Sequence, residues 1–419
     1  MAAPRMKSAV YQHRSSIVNL PVSCYNRGMD LVTQLTRVFQ ETYGSPPAHI
    51  VRAPGRVNLL GEHVDYNDGF VLPAAIDRAT YLAFSPSGSP LSSILAMDMN
   101  DQAFFTLQSV RSRTQEASAP LLEWMLYPAG VLWAIGEEGL DTSGIQAVFA
   151  SNVPRGSGLS SSASVEMAFM LAWQALGGWT LPPMQRALLG QKAENQYVGV
   201  NCGIMDQFAS ACGVENSLLL LDCRSLEWKT IPLPENVSIV IADTTVRRKL
   251  TSGEYNKRRS ACEEAVRLLK VDLPNIKALR DVSVEEFNRY AGKLPDEVAK
   301  RARHVVEEIE RSRQAEPLLE AGDIAKFGVL MNECHISLRD LYEVSCPELD
   351  VMVRVAQSLD GCYGARLTGA GFGGCTVNLV AREEASEFAA SLAKGYEAET
   401  SLKPEIYITR ASNGAELVE

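Results

Sequence analysis

The chain has 419 residues, 46% hydrophobic and 21% charged, which is the composition of a globular protein with material for a large buried core. Its formal net charge of -10 argues against a general binder of nucleic acid or of anionic membranes. No apolar run approaches the ~20 residues of a membrane span, and the nine cysteines include no Cys-x-x-Cys pair. We therefore expect a cytoplasmic protein with no zinc site, no disulfide framework, and no membrane or nucleic-acid partner.

The first predicted element along the chain is a helix. We interpret residues 1–28 as a variable leader, because they contain no recognisable motif and no apolar segment of a secretory signal. Apolar residues at helical spacing then predict a helix over Asp30–Thr42, which Gly44 ends. A short apolar strand, His49–Val51, leads from there into a dense polar loop.

This loop, Arg52–Pro73, places many polar side chains between two apolar strands. Its polar residues are Arg56, Asn58, Glu62, His63, Asp65, Tyr66, Asn67 and Asp68. Buried polar groups are costly unless something bonds to them, and a sugar offers a donor and an acceptor on every hydroxyl. The pattern predicts a sugar site in which Glu62 and Asp65 accept from hydroxyls, while Arg56 faces developing negative charge. An ordinary solvated loop is the alternative.

The elements that follow are two predicted strands, a helix and a third strand. Strands are predicted over Ala79–Phe84, Ile94–Leu107 and Ile145–Ala150, and a helix over Trp124–Gly136. The last of these strands leads directly into a second unusual loop.

This second loop, Asn152–Ser164, is rich in Gly and Ser and precedes a predicted buried helix over Val165–Leu176. Such a loop can cradle phosphate, because small residues let its amides point inward and the helix N-terminus adds a favourable dipole. Serine hydroxyls can also enter a magnesium shell. The Gly-x-x-x-x-Gly-Lys-Ser/Thr pattern is missing, so this is not a Walker-type loop. A flexible linker is disfavoured, because the long apolar helix follows at once.

A second helix is predicted over Met184–Gln196, followed by the small and apolar stretch Gly199–Phe208, which contains Asp206. Burying an unpaired carboxylate is costly, so Asp206 either faces solvent or belongs to a site. The residues alone leave these two interpretations open.

The C-terminal half contains a group of strands followed by a group of helices, which favours an α+β fold. The predicted strands are Leu218–Asp222, Glu227–Leu233 and Ser238–Asp243. The predicted helices are Glu254–Leu269, Val284–Tyr290, Asp296–Arg313, Pro317–Ala321, Ile324–Asp340 and Glu348–Leu359. A strand–loop–strand unit over Ala365–Val380, a helix near Glu383–Lys394 and a strand over Glu405–Thr409 complete the pattern.

The glycines of Gly369–Gly374 fit Gly-x-Gly-x-x-Gly, but a strand pattern follows them instead of a helix. A dinucleotide-binding turn is therefore excluded by context. A loop that lies against phosphates or sugar fits better.

Taken together, three motifs stand in the order typical of GHMP kinases. They are Arg52–Pro73, Val153–Ser164 and Gly364–Thr376. The first closely resembles the galactokinase signature of that superfamily, and the second resembles its phosphate loop. Further stretches typical of galactokinases are Glu194–Gln207, Ser252–Tyr255 and Ser345–Asp350.

The resemblance runs from about Ala48 onward and implies an α+β, two-lobed GHMP kinase fold with the active site in the cleft between lobes. We place the N-terminal lobe at residues 1–213, with the galactose signature and the ATP phosphate loop, and the C-terminal lobe at residues 214–419.

The resemblance also implies roles for individual residues. Asp206 resembles the catalytic aspartate of the family, and Arg56 its transition-state stabiliser. The galactose-binding residues would be Glu62, His63, Val64 (through its backbone), Asp65, Gly203 and Tyr255. The ATP loop would comprise Gly156, Ser157, Gly158, Leu159, Ser160, Ser161 and Ser162, and the Mg²⁺ ligands would be Ser162 and Glu194. A buried His63 that only orients Asp65 is the alternative to a direct sugar contact.

The implied activity is ATP-dependent phosphorylation of α-D-galactose at its C1 hydroxyl, by a monomer. A related 1-kinase for N-acetylgalactosamine or an arabinose-type sugar is one alternative, although Asn67–Phe70 resembles galactokinases better. A second is a non-catalytic galactose and ATP sensor that regulates transcription; the intact Ser160–Ala163 run and Asp206 favour catalysis. A diphosphate decarboxylase would leave Glu62–Asp65 unexplained. Asp98 stands where many members of the family have a serine near the adenine, so no adenine contact is assigned.

Overall fold

The computed structural model describes residues 30–247 and 252–418, so the predicted leader lies outside the described residues. The strands are β1 (His49–Asn58), β2 (Phe70–Val71), β3 (Pro73–Pro86), β4 (Ser92–Ala96), β5 (Asp101–Phe105), β6 (Ile145–Ser151), β7 (Ser217–Asp222), β8 (Trp228–Pro232), β9 (Val237–Asp243), β10 (Cys362–Leu367), β11 (Cys375–Ala381), β12 (Glu405–Thr409) and β13 (Glu416–Val418). The helices are α1 (Leu31–Tyr43), α2 (Leu107–Arg111), α3 (Leu126–Glu137), α4 (Ser161–Gly177), α5 (Pro183–Lys192), α6 (Met205–Cys212), α7 (Ser252–Leu269), α8 (Val284–Tyr290), α9 (Asp296–Glu320), α10 (Ile324–Asp340), α11 (Pro347–Gln357) and α12 (Ala385–Thr400).

Across the described ranges, the strands form three sheets, and helices cover them in the manner of an α+β fold. The first sheet has six strands in the order β13-β1-β3-β6-β4-β5, the second has four in the order β10-β11-β9-β12, and the third has three in the order β2-β7-β8. The α+β prediction is therefore confirmed.

The two ends of the described chain meet in the six-stranded sheet. β13 pairs antiparallel with β1 and faces it at Ile50, Val51 and Arg52. The division into lobes at residue 213 stays a prediction; β13, which belongs to the second predicted lobe, extends the sheet of the first.

Local sequence explains where α1 begins and ends. The Asp30 side chain accepts a hydrogen bond from Thr33 N at 3.0 Å and caps the first turn. Gly44 ends the helix with φ +83°, a conformation that glycine adopts without a steric cost. The apolar face of α1 packs through Leu35 and Phe39 against the outer face of the six-stranded sheet.

Helix α4 is anchored by buried side chains. It packs against β1, β3, α3 and α6, and its side chains Met167, Phe169 and Trp173 are fully buried. Burial of each such side chain contributes about 1.5–3 kcal/mol to stability, so the helix that follows the predicted phosphate loop is firmly held in the core.

One predicted strand and the division between two predicted helices are wrong. Ile94–Leu107 is a hairpin of β4 and β5, not one strand, because the chain reverses through a 3₁₀ turn over Met97–Met99 that ends at Asn100 with φ +47°. The helices predicted over Asp296–Arg313 and Pro317–Ala321 are one helix, α9, with Pro317 inside it. Proline removes one backbone hydrogen bond, but the buried face continues through it, from Ser312 to Ala315 and Leu319.

In the described part of the chain, we find no helix with the length and apolarity that a bilayer crossing requires.

Candidate active site

Arg56 and Asp206 meet at the centre of the site. Arg56 follows an irregularity in β1, where the register with β3 shifts between Pro54 and Arg56. Asp206 lies in the first turn of α6. Arg56 Nε lies 2.9 Å and Nη2 2.7 Å from Asp206 Oδ1, and Nη1 donates to the carbonyl oxygen of Gly158. The exposed side-chain fraction is 4% for Arg56 and 26% for Asp206, so the carboxylate faces an opening and the guanidinium lies behind it.

The predicted sugar segment begins with a buried carboxylate. Glu62 Oε2 is paired with Arg366 Nη2 and accepts from Gly369 N at 3.1 Å. Burial raises the pKa of Glu62, while the positive charge of Arg366 opposes this shift. Both partners lie in or beside the predicted Gly364–Thr376 motif. The third motif of the sequence therefore contacts the first.

Val64 lies wholly in the interior, with its side chain packed against Gly69. Its carbonyl oxygen accepts from Asn67 N at 3.0 Å and from Gly69 N at 2.9 Å, which closes the tight turn after the sugar segment. A Cβ on Gly69 would lie 2.7 Å from Val64 Cβ, so the turn requires glycine there. Val64 shapes the segment through its backbone.

His63 is surrounded by aromatic rings. Its Nδ1 lies 3.0 Å from the Tyr66 hydroxyl, and its ring centroid lies 5.6 Å from that of Tyr255 and 4.8 Å from that of Tyr342. Burial, with a smaller contribution from His304, lowers the pKa of His63 to about 3. The imidazole is therefore neutral at neutral pH.

Asp65 and Gly203 are in close contact. A Cβ added to Gly203 would lie 2.0 Å from Asp65 Oδ2, so a side chain at this position cannot coexist with Asp65 in its present position. Burial, together with the negative charge of Asp206, raises the pKa of Asp65 to about 7. Asp65, Gly203 and Tyr66 also line a cavity of about 330 Å³.

The predicted phosphate loop turns sharply into α4. Gly156 and Gly158 have φ values of +63° and +83°, and Ser160, the last residue before α4, has φ +59°. The hydroxyl of Ser160 is buried and has no hydrogen-bond partner among the described residues. An unpartnered hydroxyl at a helix N-terminus is suited to a phosphate oxygen.

Other side chains of this loop turn inward. Leu159 is buried, and its carbonyl oxygen accepts from Arg56 N at 3.1 Å. Ser157 is also buried and donates to Pro154 O at 2.7 Å. Leu159 and Ser157 can therefore contact a nucleotide only through their backbone.

The glycine loop of the third motif lies directly on the phosphate loop. A Cβ on Gly158 would lie 2.6 Å from Thr368 O, and a Cβ on Gly369 would lie 2.6 Å from Gly158 Cα. Cys375 N donates to Ser157 O at 2.9 Å. The two loops touch backbone to backbone.

Glu194, the predicted magnesium ligand, lies in a π-helical turn, Ala193–Val198, that continues α5. Gln207 Nε2 lies 2.5 Å from Glu194 Oε2 and 2.9 Å from Glu166 Oε2. Burial first, and then the charge of Asp206, raises the pKa of Glu194 to about 7, while a hydrogen bond from Ser162 lowers it. Ser162 and Glu194 therefore lie together.

These residues could accept a cation. Glu166 and Glu194 are buried carboxyl groups, and burial together with their proximity raises the pKa of Glu166 well above its usual range. Glu166 Oε1 has no hydrogen-bond partner among the described residues, and a bound cation would favour the ionised form of both acids. Among residues 30–247 and 252–418, no three His, Cys, Asp or Glu side chains form a group that could hold a metal. A magnesium ion here would need phosphate oxygens to complete its shell.

The sequence interpretation missed several residues of this region. They are Glu166, Gln207, Tyr342 and Arg366. Arg366 could have been noticed as a charged residue inside a predicted strand, shortly before the glycines of Gly369–Gly374. Gln207 could have been found from its position beside Asp206.

Family models match three separate parts of the chain. The galactokinase galactose-binding signature matches residues 37–86. The N-terminal domain of GHMP kinases matches residues 127–214, and the C-terminal domain of GHMP kinases matches residues 315–398.

Similar proteins cover nearly the whole chain. A galactokinase of Roseiflexus sp. (strain RS-1) is 48% identical over 381 residues, which are 91% of this chain and 96% of the relative. A galactokinase of Chloroflexus aurantiacus is 43% identical over 387 residues, which are 92% of this chain and 98% of the relative.

Among solved structures, the galactokinase of Lactococcus lactis complexed with galactose superposes with a TM-score of 0.87 and 34% identity, covering 92% of this chain and 100% of that one. The mevalonate kinase of Methanococcus jannaschii shares the fold, with a TM-score of 0.59, 20% identity, and coverage of 87% of this chain and 99% of that one. On the strength of the ordered motifs, their contacts and these similarities, the chain belongs to the galactokinase family of the GHMP kinases.

Proposed function

We propose that the protein transfers the γ-phosphoryl group of ATP to the C1 hydroxyl of α-D-galactose, producing galactose 1-phosphate and ADP. The observation that carries this proposal is the Arg56–Asp206 pair, which lies beside the carbonyl oxygen of Gly158 in the phosphate loop. A base and a cation at the edge of a phosphate loop are the groups that phosphoryl transfer to a hydroxyl requires.

Asp206 accepts the proton of the C1 hydroxyl as its oxygen attacks the γ-phosphorus and the bond to ADP breaks. Arg56 holds the carboxylate in place and stabilises the charge that develops on the phosphoryl oxygens. Because Arg56 is bonded on both sides, to Asp206 and to Gly158, it needs little reorganisation during the reaction.

The sugar is held by the segment Glu62–Asp65, with Gly203 and Tyr255 on the other side. Glu62 and Asp65 accept hydrogen bonds from hydroxyls, and the neutral His63 packs among aromatic rings and can donate or accept through Nε2. Tyr255, in α7, lies 5.6 Å from Tyr66 between ring centroids and closes the apolar side of the site.

ATP is bound by Gly156–Ser162, mainly through backbone N–H groups and the Ser160 hydroxyl. Ser162 and Glu194 are the residues that would hold Mg²⁺. When bound, this ion neutralises charge on the β- and γ-phosphates. Gln207 keeps the Glu194 carboxylate oriented through its amide.

We also propose a cytoplasmic monomer. Cys202, Cys262 and Cys334 carry free thiols, which fits a reducing compartment. Light scattering on the purified protein should then give a mass near 45.7 kDa, and twice that mass would contradict the monomer.

A coupled assay of ADP release tests the activity. Purified protein, ATP and magnesium are combined with galactose, N-acetylgalactosamine, arabinose, glucose or mevalonate. Turnover with galactose well above the others is the expected result. Preference for another sugar would retain the mechanism and change the substrate, whereas galactose-dependent thermal stabilisation without ADP release would indicate a sensor.

A further inference from the structure

The proposed mechanism gives no role to the third motif, Gly364–Thr376, which contains Arg366. Arg366 lies in β10, and its side chain is 0% exposed. A buried arginine is costly unless its charge is paired and its donors are used. Its partner is Glu62, 304 positions away in the sequence and itself only 3% exposed.

The bonds to Glu62 are asymmetric. Arg366 Nη2 and Gly369 N both contact Oε2, and no hydrogen bond from the described residues ends on Oε1. Arg366 Nε in turn donates to Leu367 O at 2.7 Å, which fixes the guanidinium against its own strand. One oxygen of Glu62 is therefore held by the third motif, and the other remains available.

The residue before Glu62 is also held by a buried charged side chain. Glu308, also buried, pairs with Arg311 and accepts from Gly61 N at 2.7 Å, directly before Glu62. The segment is thus held at Gly61 by Glu308 and at Glu62 by Arg366. Without Arg366, the Glu62 carboxylate would lose its counter-charge and one of its two fixed bonds.

We propose that Arg366 is a positioning residue for sugar recognition, which holds Oε2 of Glu62 so that Oε1 accepts a hydrogen bond from a sugar hydroxyl. This inference rests on the proposed role of Glu62 in binding galactose. It assigns to the third motif a function on the sugar side of the site, in addition to its contact with the phosphate loop.

The experiment compares Arg366→Met with Arg301→Met in the full chain. Arg301 is a similarly buried arginine, but its partner is Glu343, whose Oε2 lies 2.6 Å from Arg301 Nη2, and not Glu62. Galactose affinity is measured by titration calorimetry without ATP, and KM is measured for both substrates. We expect Arg366→Met to weaken galactose binding by about tenfold or more, with the KM for ATP within about twofold of the wild type. Arg301→Met should lower the unfolding temperature but leave galactose affinity unchanged.

Three further variants keep the test decisive if Arg366→Met does not fold, and they distinguish positioning of Glu62 from a purely structural role. Arg366→Lys keeps the charge but cannot reproduce the two directed contacts, so it should fold and give an intermediate loss of affinity. Glu62→Gln combined with an Arg366 variant should lose little more affinity than Glu62→Gln alone, because both changes remove one interaction.

Unchanged galactose affinity in a folded Arg366 variant would overturn the proposal. The proposal would also be overturned if Arg301→Met lost as much galactose affinity as Arg366→Met, or if the losses of affinity in the double variant were additive. Failure of the wild-type protein to bind galactose would instead overturn the proposed function.

Discussion

Arg56 contacts Asp206 through two nitrogens that both lie against the same oxygen, with Nε at 2.9 Å and Nη2 at 2.7 Å from Oδ1. Glu62 is held in the same manner, since Arg366 and Gly369 both bond its Oε2. In each case the protein fixes one carboxylate oxygen and leaves the other for a ligand. Two arginines, one in β1 and one in β10, thus orient the two acids on which the proposed chemistry depends.

Replacing Asp206 with asparagine or alanine should lower kcat by about 10²–10⁴, because a general base contributes that much to a proton transfer. The fold should persist, since Asp206 is partly exposed and lies at the start of α6. The coupled ADP-release assay gives kcat, and the thermal unfolding temperature of the variant shows whether it is folded. Activity close to that of the wild type in a folded variant would contradict the role of base.

Arg56→Lys should lower kcat by about 10²–10³, because one ammonium cannot reach Asp206 and the carbonyl of Gly158 with the same geometry. Arg52→Lys is the matched control. Arg52 lies on the same strand, but its guanidinium bonds Ile76 O and Ser412 Oγ, far from the reacting groups. Equal effects of the two substitutions on kcat would show that Arg56 acts only on stability.

Gly203→Ala should raise the KM for galactose by about tenfold or more, because the new methyl group would occupy the position of the Asp65 carboxylate. Gly292→Ala serves as the control, since a Cβ there meets nothing within 4 Å. Steady-state kinetics with varied galactose distinguishes the two. If Gly203→Ala leaves the KM for galactose unchanged, Asp65 is not a sugar contact.

Asp65 should make the ligand-free protein less stable as pH rises. Its pKa is about 7 in the folded state and lower when unfolded, so the folded state retains a proton that the unfolded state releases. The contribution of Asp65 to the free energy of unfolding is therefore most favourable below about pH 4, and it is lost as the pH rises through about 7. At pH 8, the free energy of unfolding of Asp65→Asn should exceed that of the wild type by more than about 1 kcal/mol. This difference should become smaller at pH 4.

Denaturant unfolding at several pH values checks this dependence. The surface variant Asp360→Asn should show no such change between pH 4 and pH 8, because Asp360 is exposed. A constant difference between Asp65→Asn and the wild type across this range would rule out the burial argument.

Glu194→Gln should raise the Mg²⁺ concentration that gives half-maximal activity by at least about tenfold, because the variant loses an anionic oxygen ligand. Binding of Mn²⁺ in the presence of ATP, followed by electron paramagnetic resonance, gives a readout that does not depend on turnover. Glu138→Gln is the control, since Glu138 pairs with Lys192 at 2.6 Å on the surface. Equal metal affinity in the Glu194 variant and the wild type would remove Glu194 from the ligand set.

Much of the fold could be predicted from local pattern. Periodicity and terminal residues gave α1 within one residue at each end, because Asp30 and Gly44 are strong capping residues. Pro317 misled the prediction, since a proline usually ends a helix and the sequence does not show the buried face that carries α9 through it.

Candidate site residues could be predicted where they stand close together in the sequence. They were missed where they depend on contacts between residues that are far apart in the sequence. Glu62 and Asp65 stand out as acids in a dense polar loop. Arg366 does not, because a charged residue in a strand is usually exposed, and only the folded chain brings it to Glu62. The π-helical turn that presents Glu194 likewise depends on packing and has no local signature.

The backbone contact between Gly158 and Gly369 restricts how this protein can diverge. A larger residue in a protein core is often accommodated when a neighbour becomes smaller, but each partner here is already the smallest amino acid. No compensating change at one position can therefore rescue a substitution at the other. The two loops lie more than 200 residues apart in the chain, yet both glycines must be kept as long as the loops stay in contact. The contact therefore couples the evolution of the proposed nucleotide-binding and sugar-binding parts of the site.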